Sequence, residues 1–245
     1  MAYETLLTEV DGAVAVITLN RPDALNAFNN QLMDELTAAL DRFDDDAEIG
    51  CIVITGSKKA FAAGADIKEQ RGPETSIEVR QRMEQTRWIE TVDEIQKPVV
   101  AAIHGYCMGG GMELALACDI RIAEEQAQMA LPEAKVGLLP CAGGTQRLSW
   151  LVGEGWAKKI ILCGERVDAA TAERIGLVEE VVGKGEALER AIALAEQAAE
   201  QSPTSVRFCK QLVHTGRDAV IAPGLQGERD MFVELFSTED QKEGV

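Results

Sequence analysis

The chain has 245 residues and a formal net charge of −17, with 24 Lys and Arg against 41 Asp and Glu. That balance argues against the clustered positive surface of a nucleic-acid binder, though a few local cations can still hold an anionic small ligand, because distant charges are screened within about 8–10 Å. Hydrophobic residues make up 46% and aromatics only 4%, so Ala, Val, Ile and Leu build a sizeable core that suits an α/β protein better than an aromatic-rich β-sandwich.

No apolar run approaches the ~20 residues of a membrane helix. The start, Met1-Ala2-Tyr3-Glu4-Thr5, lacks the basic and apolar segments of a signal peptide. The expectation is a soluble, cytoplasmic protein. Cys51, Cys107, Cys118, Cys141, Cys163 and Cys209 form no C-x-x-C pair and mostly lie in apolar stretches, so they read as buried free thiols. With only His104 and His214 available, a His-rich metal centre is excluded.

Ala13 to Leu19 is a nearly all-apolar run ending at Asn20-Arg21-Pro22, and it reads as a strand buried on both faces. Asn29 or Asn30 caps a helix whose apolar positions Leu32, Met33, Leu36, Leu40 and Phe43 recur at helical spacing. Cys51 to Gly56 is a second buried strand with a glycine stop. A polar helix fills Ser76 to Ile95. Pro98 to Ile103 is a third strand, with proline at the first position, where it is tolerated. Met112 to Cys118 is helical, and Asp119 to Ala123 returns to strand. Alternating strands and helices predict crossover units and mostly parallel pairing. After about Gly183 the pattern is all-helical: Leu188, Ile192, Ala195 and Ala199 mark one helix, Pro203 starts another, and Pro223 opens a third. The division is therefore 1–183 for the core and 184–245 for a helical region serving as lid, oligomer contact or both.

Three loops can build a site. Phe61-Ala62-Ala63-Gly64-Ala65-Asp66-Ile67 follows the second strand, and its small residues let a ligand approach backbone N–H groups or simply make a tight connection. Gly109-Gly110-Gly111 joins the third strand to a helix, where unpaired N–H groups and the helix dipole favour developing negative charge. The nucleotide fingerprints fail here: there is neither G-x-x-x-x-G-K-[ST] nor G-x-G-x-x-G, so no NAD or ATP reading survives. Pro140 to Arg147 supplies another glycine turn, most simply a structural cap. Glu113 and Glu133 each sit beside one of these turns, 20 positions apart. Either can be an ordinary capping or surface carboxylate. If the fold brings them face to face, they are an acid–base pair.

Taken together, these segments resemble the enoyl-CoA hydratase/isomerase (crotonase) superfamily. The likeness rests on Leu19-Asn20-Arg21-Pro22 with Leu25-Asn26-Ala27, on Phe61 to Ile67, His104 to Leu114, Cys118-Asp119-Ile120, Leu131-Pro132-Glu133 and Ala142 to Leu148, in order along nearly the whole chain. The resemblance implies an α/β fold, a right-handed spiral of ββα units followed by C-terminal helices that build homotrimers or homohexamers. It implies a coenzyme A thioester substrate, an oxyanion hole from the N–H groups of Ala65 and Gly110, and a CoA-binding wall including Ala63, Asp66, Ile67 and Lys68. Both family glutamates are present, at Glu113 and Glu133, which is the hydratase pattern. Isomerases similar to this chain usually keep only the later one. The expected reaction is hydration of a trans-2-enoyl-CoA, with a Δ3-Δ2-enoyl-CoA isomerase as the alternative. No metal or redox cofactor is required, since coenzyme A belongs to the substrate. Cys141 and Leu131 depart from residues that are often Gly and Gln in the hydratases. The basic tail that family chains carry past a segment like Glu239 to Gly244 is not seen before Val245.

Overall fold

The computed structural model describes residues 3–69, 74–85 and 88–235. Leu6–Asp11 (β1) pairs antiparallel with Val14–Leu19 (β2). The first of these strands was not foreseen, because it lies at the sheet edge with Glu9 and Asp11 exposed and lacks a continuous apolar run. Asn29 Oδ1 accepts a hydrogen bond from Leu32 N at 3.0 Å and starts Asn30–Asp45 (α1). Leu32, Met33, Leu36, Leu40 and Phe43 are all buried on it, as their spacing predicts.

Three turns of the chain then repeat one plan. Cys51–Gly56 (β3) and Ala60–Ala62 (β4) precede Ser76–Gln85 (α2) and Trp88–Glu94 (α3). Val99–Ile103 (β5) and Tyr106–Met108 (β6) precede Gly110–Ala117 (α4). Ile120–Glu124 (β7) and Gln128–Ala130 (β8) precede a 3-10 turn at Glu133–Val136 and Gly144–Cys163 (α5). Val167–Asp168 (β9), Ala169–Ile175 (α6) and Glu180–Val182 (β10) follow. The longer strands form a six-stranded sheet in the order β1-β2-β3-β5-β7-β10, parallel except at β1, and the short ones form a second sheet in the order β4-β6-β8-β9. The helix expected over Ser76 to Ile95 is thus described as α2 and α3, with residues 86 and 87 outside the described set.

Period-two alternation decides how the large sheet is covered. Ala15, Ile17 and Leu19 of β2 face the core that contains Leu36, Phe43, Met112 and Leu114. Val14 and Val16 face the opposite way, against Ala187, Ala191 and Ala195 of Ala187–Ala199 (α7). Small alanines on that stripe let α7 lie close to the strands. Pro203–Leu235 (α8) follows as one helix. Pro223 therefore does not open a separate element, contrary to expectation. It removes one backbone donor, but ties on either side hold the helix across it: Lys210 Nζ to Asp119 Oδ2 at 2.7 Å, and Arg80 Nη1 to Asp230 Oδ1 at 2.6 Å. No helix among the described residues is long and apolar enough to cross a membrane.

Candidate active site

The first wall of the site is the loop after β4. Asn26, fully buried with φ 57°, donates from Nδ2 to Ala60 O at 2.7 Å and to Phe61 O at 3.2 Å. Arg21 donates from Nη2 to Asp66 Oδ2 at 2.8 Å and from Nη1 to Ala27 O. The Phe28 N–H donates to Gly64 O at 2.8 Å, and the Asp66 N–H donates to Phe28 O at 2.9 Å. These bonds hold Ala63 to Asp66 as a rigid shelf and leave the Ala65 N–H without a protein acceptor among the described residues. The Asp66 carboxyl is held below the usual carboxylate range: burial opposes ionisation, but bonds from Arg21 and Lys68 N outweigh it. Ile67, 82% exposed, and Lys68 lie out in solvent on the same shelf.

The second wall is the start of α4. Gly109 caps it with φ 52°, a left-handed conformation that favours glycine, and its N–H donates to Ala130 O at 2.9 Å. A Cβ at Gly109 would also come within 3.0 Å of Glu133 Oε1. Gly110 is the first helical residue, and its N–H is likewise without a protein acceptor among the described residues. The two walls meet closely: a Cβ on Gly64 would lie 3.5 Å from Gly110 N. The segments that carry both N–H groups therefore adjoin. The rings of Phe28 and Trp88, centroids 4.6 Å apart and tilted by 30°, lie beside Gly110.

Glu113 sits one turn into α4, a helix buried nearly all round, and is itself only 3% exposed. A carboxylate there is costly unless it receives hydrogen bonds. It does: Oε1 accepts from Ala142 N at 2.7 Å and from Gly144 N at 3.0 Å. Burial raises its pKa above the usual carboxylate range, and these two donors and the Arg147 charge offset only part of that rise. Glu133 opens the 3-10 turn after β8, and its Oε2 is buried with no partner among the described residues. Its pKa is pushed up to about 8, first by burial and second by the Glu113 charge. The two acids thus flank the Gly109–Gly110 corner and feel each other, in unequal surroundings: one receives N–H donors, the other keeps its proton near neutral pH.

The loop from Pro140 to Arg147, read from sequence as a plain cap, is the correction. Its N–H groups are what hold Glu113. The signal available was the Gly143-Gly144 pair: a Cβ at Gly144 would fall 2.9 Å from Glu113 Oε1 and 2.7 Å from Pro140 Cβ. Gly144→Ala is therefore expected to displace the Glu113 carboxylate, lowering turnover by about tenfold or more while the chain stays folded. Stopped assays beside a thermal melt check it. Asn26, Arg21 and Arg147 also went unassigned, because their partners are distant in sequence.

Comparison with known proteins agrees with this architecture. The family described as enoyl-CoA hydratase/isomerase matches residues 9–245. A probable enoyl-CoA hydratase of Rhizobium meliloti (strain 1021) is 48% identical over 245 residues, covering 100% of this chain and 95% of that protein. Among solved structures, Pseudomonas aeruginosa DspI is 48% identical with a TM-score of 0.83, over 95% of this chain and 96% of the other. The enoyl-CoA hydratase from Mycobacterium avium is 36% identical with a TM-score of 0.85, over 97% of this chain and 99% of the other. The fold is thus the mixed α/β crotonase fold expected from the motifs.

Proposed function

The chain belongs to the enoyl-CoA hydratase/isomerase family, and on that premise we propose that it hydrates a trans-2-enoyl-CoA to a 3-hydroxyacyl-CoA. The observation that carries this reading is the pair of buried acids in unequal environments beside the Gly109–Gly110 corner.

The thioester carbonyl accepts hydrogen bonds from Ala65 N–H and Gly110 N–H. Electron density is drawn toward that oxygen, and C3 becomes electrophilic. Glu113, ionised and oriented by Ala142 and Gly144, takes a proton from a water that bonds to C3. Glu133 passes its own proton to C2. The step leaves Glu113 protonated and Glu133 ionised, and exchange with solvent restores the starting state. Ala63, Asp66, Ile67 and Lys68 form the shelf for the CoA moiety, and the only coenzyme involved is the one the substrate carries. An isomerase needs to move one proton between carbons, and a second acid held by two dedicated N–H donors favours the hydratase.

The reading has two further parts. Exposed Trp150 and Leu162 on α5, with Phe208 and Leu212 on α8, supply apolar surface for a homotrimer or homohexamer. The free thiols, three of them buried, fit a reducing, cytoplasmic setting and a place in fatty acid metabolism such as β-oxidation.

The test is turnover across a panel of enoyl-CoA esters as a function of pH. The rate rises as Glu113 loses its proton and falls as Glu133 loses its own near pH 8. Glu133→Gln is expected to slow hydration, and with it deuterium incorporation at C2 in D₂O followed by NMR, by about 10²–10⁴. It also changes stability. Between its ordinary 4.5 and about 8, the folded chain keeps a proton at Glu133 that the unfolded chain gives up, so stability declines as pH rises through that window. The slope is at most about 1.4 kcal/mol per pH unit, and the variant flattens it. Undiminished exchange at C2 in the variant would remove Glu133 from the proposed role.

A further inference from the structure

Arg147 is 3% exposed, inside the first turns of α5, and the reaction as written above does not use it. Its guanidinium is spread between two partners. Nη1 donates to Ala142 O at 2.9 Å, and Nη2 forms an ion pair with Asp93 of α3. Ala142 is the residue whose N–H donates to Glu113 Oε1 at 2.7 Å. Arg147 therefore grips the carbonyl side of the residue that grips Glu113.

We propose that Arg147, anchored by Asp93, is a positioning residue that makes Glu113 the proton-accepting member of the pair, by clamping the Ala142–Gly144 loop and placing a fixed positive charge behind it. The inference rests on the hydratase reading. Among the described residues, the charged groups that act on Glu113 are Glu133 from the 3-10 turn and Arg147 from α5, with Asp93 of α3 paired to Arg147. Glu90 of α3 is turned toward Arg229. The Arg147 charge opposes the burial that drives the Glu113 pKa up. A planar guanidinium fork holds two partners in a more fixed geometry than an ammonium with freely rotating donors.

The test compares wild type, Arg147→Met, Arg147→Lys and the double variant R147M/D93L, which leaves no lone buried charge and so guards against a simple folding failure. For R147M, kcat is expected to fall by about tenfold or more with KM within about threefold. Its acidic limb moves up by about one pH unit, because an unassisted Glu113 holds its proton longer. The double variant shows a smaller rise of the same sign. R147K returns the limb toward wild type without restoring full kcat. An acidic limb left at the wild-type position in folded R147M and in the double variant would overturn the proposal. Titration of ¹³C-labelled glutamate carboxyls reads the same shift without turnover. A wild type that hydrates no ester would sink the functional reading, while this titration still judges Arg147.

Discussion

Glu113→Gln is expected to leave a folded protein that hydrates crotonyl-CoA about 10²–10⁴-fold more slowly, with binding of a saturated acyl-CoA nearly unchanged. The amide oxygen of Gln can still accept from Ala142 N and Gly144 N, the bonds that Glu113 Oε1 makes at 2.7 Å and 3.0 Å. The loop therefore stays in place, and only the capacity to take a proton is lost. Removing a buried carboxylate also lifts the like-charge pressure on its neighbour. The pKa of Glu133, pushed up first by burial and then by the Glu113 charge, is expected to fall from about 8. Burial remains, so it should stay above its ordinary value. Turnover of the variant within a few-fold of wild type would end the assignment of Glu113 as base. An unmoved Glu133 titration would show that the two acids do not share one pocket.

Gly110→Pro should cost about 10²–10³ in kcat, and Gly110→Ala should cost little. The contrast separates the oxygen-binding edge at that N–H from the bulk of a Cβ. Gly110 is the first residue of α4, where proline is well tolerated because that N–H has no helical partner. Space is adequate too: an added Cβ would meet Phe28 Cδ2 at 3.7 Å, Gly64 Cα at 3.9 Å and Trp88 Cζ2 at 4.0 Å, all ordinary contacts. Alanine keeps the donor, while proline deletes it and puts its ring where the thioester oxygen is proposed to sit. Circular dichroism and melting temperature establish that the helix survives. If both variants are equally slow, crowding against Phe28 and Trp88 is responsible, and the oxyanion role of Gly110 fails.

Much of the scaffold was legible because burial repeats at short range. The spacing of Leu32, Leu36, Leu40 and Phe43 announces α1, and the apolar runs at Val14–Leu19, Cys51–Gly56 and Val99–Ile103 announce the central strands. The short strands β4, β6 and β8 have three residues each, too few for any period to emerge. Pro223 misled for a related reason. A proline reports a local preference, whereas α8 is held by Lys210 on Asp119 and by Asp230 on Arg80, contacts with partners about 90 and 150 positions away.

By itself, the sequence determined the α/β class, the family likeness and which backbone corners could admit a ligand, because glycines and apolar periods act over a few residues. It also named Glu113 and Glu133. Only the tertiary structure decided what surrounds them. The chain passes through α4, β7 and β8 between the two acids, and the parallel pairing of β6 with β8 returns Glu133 to the Gly109 corner. The Ala142–Gly144 loop then reaches Glu113 from 29 and 31 positions away. Proton affinity depends on burial, donors and neighbouring charge summed in space, so two chemically identical side chains acquire different environments only once the chain has closed around them.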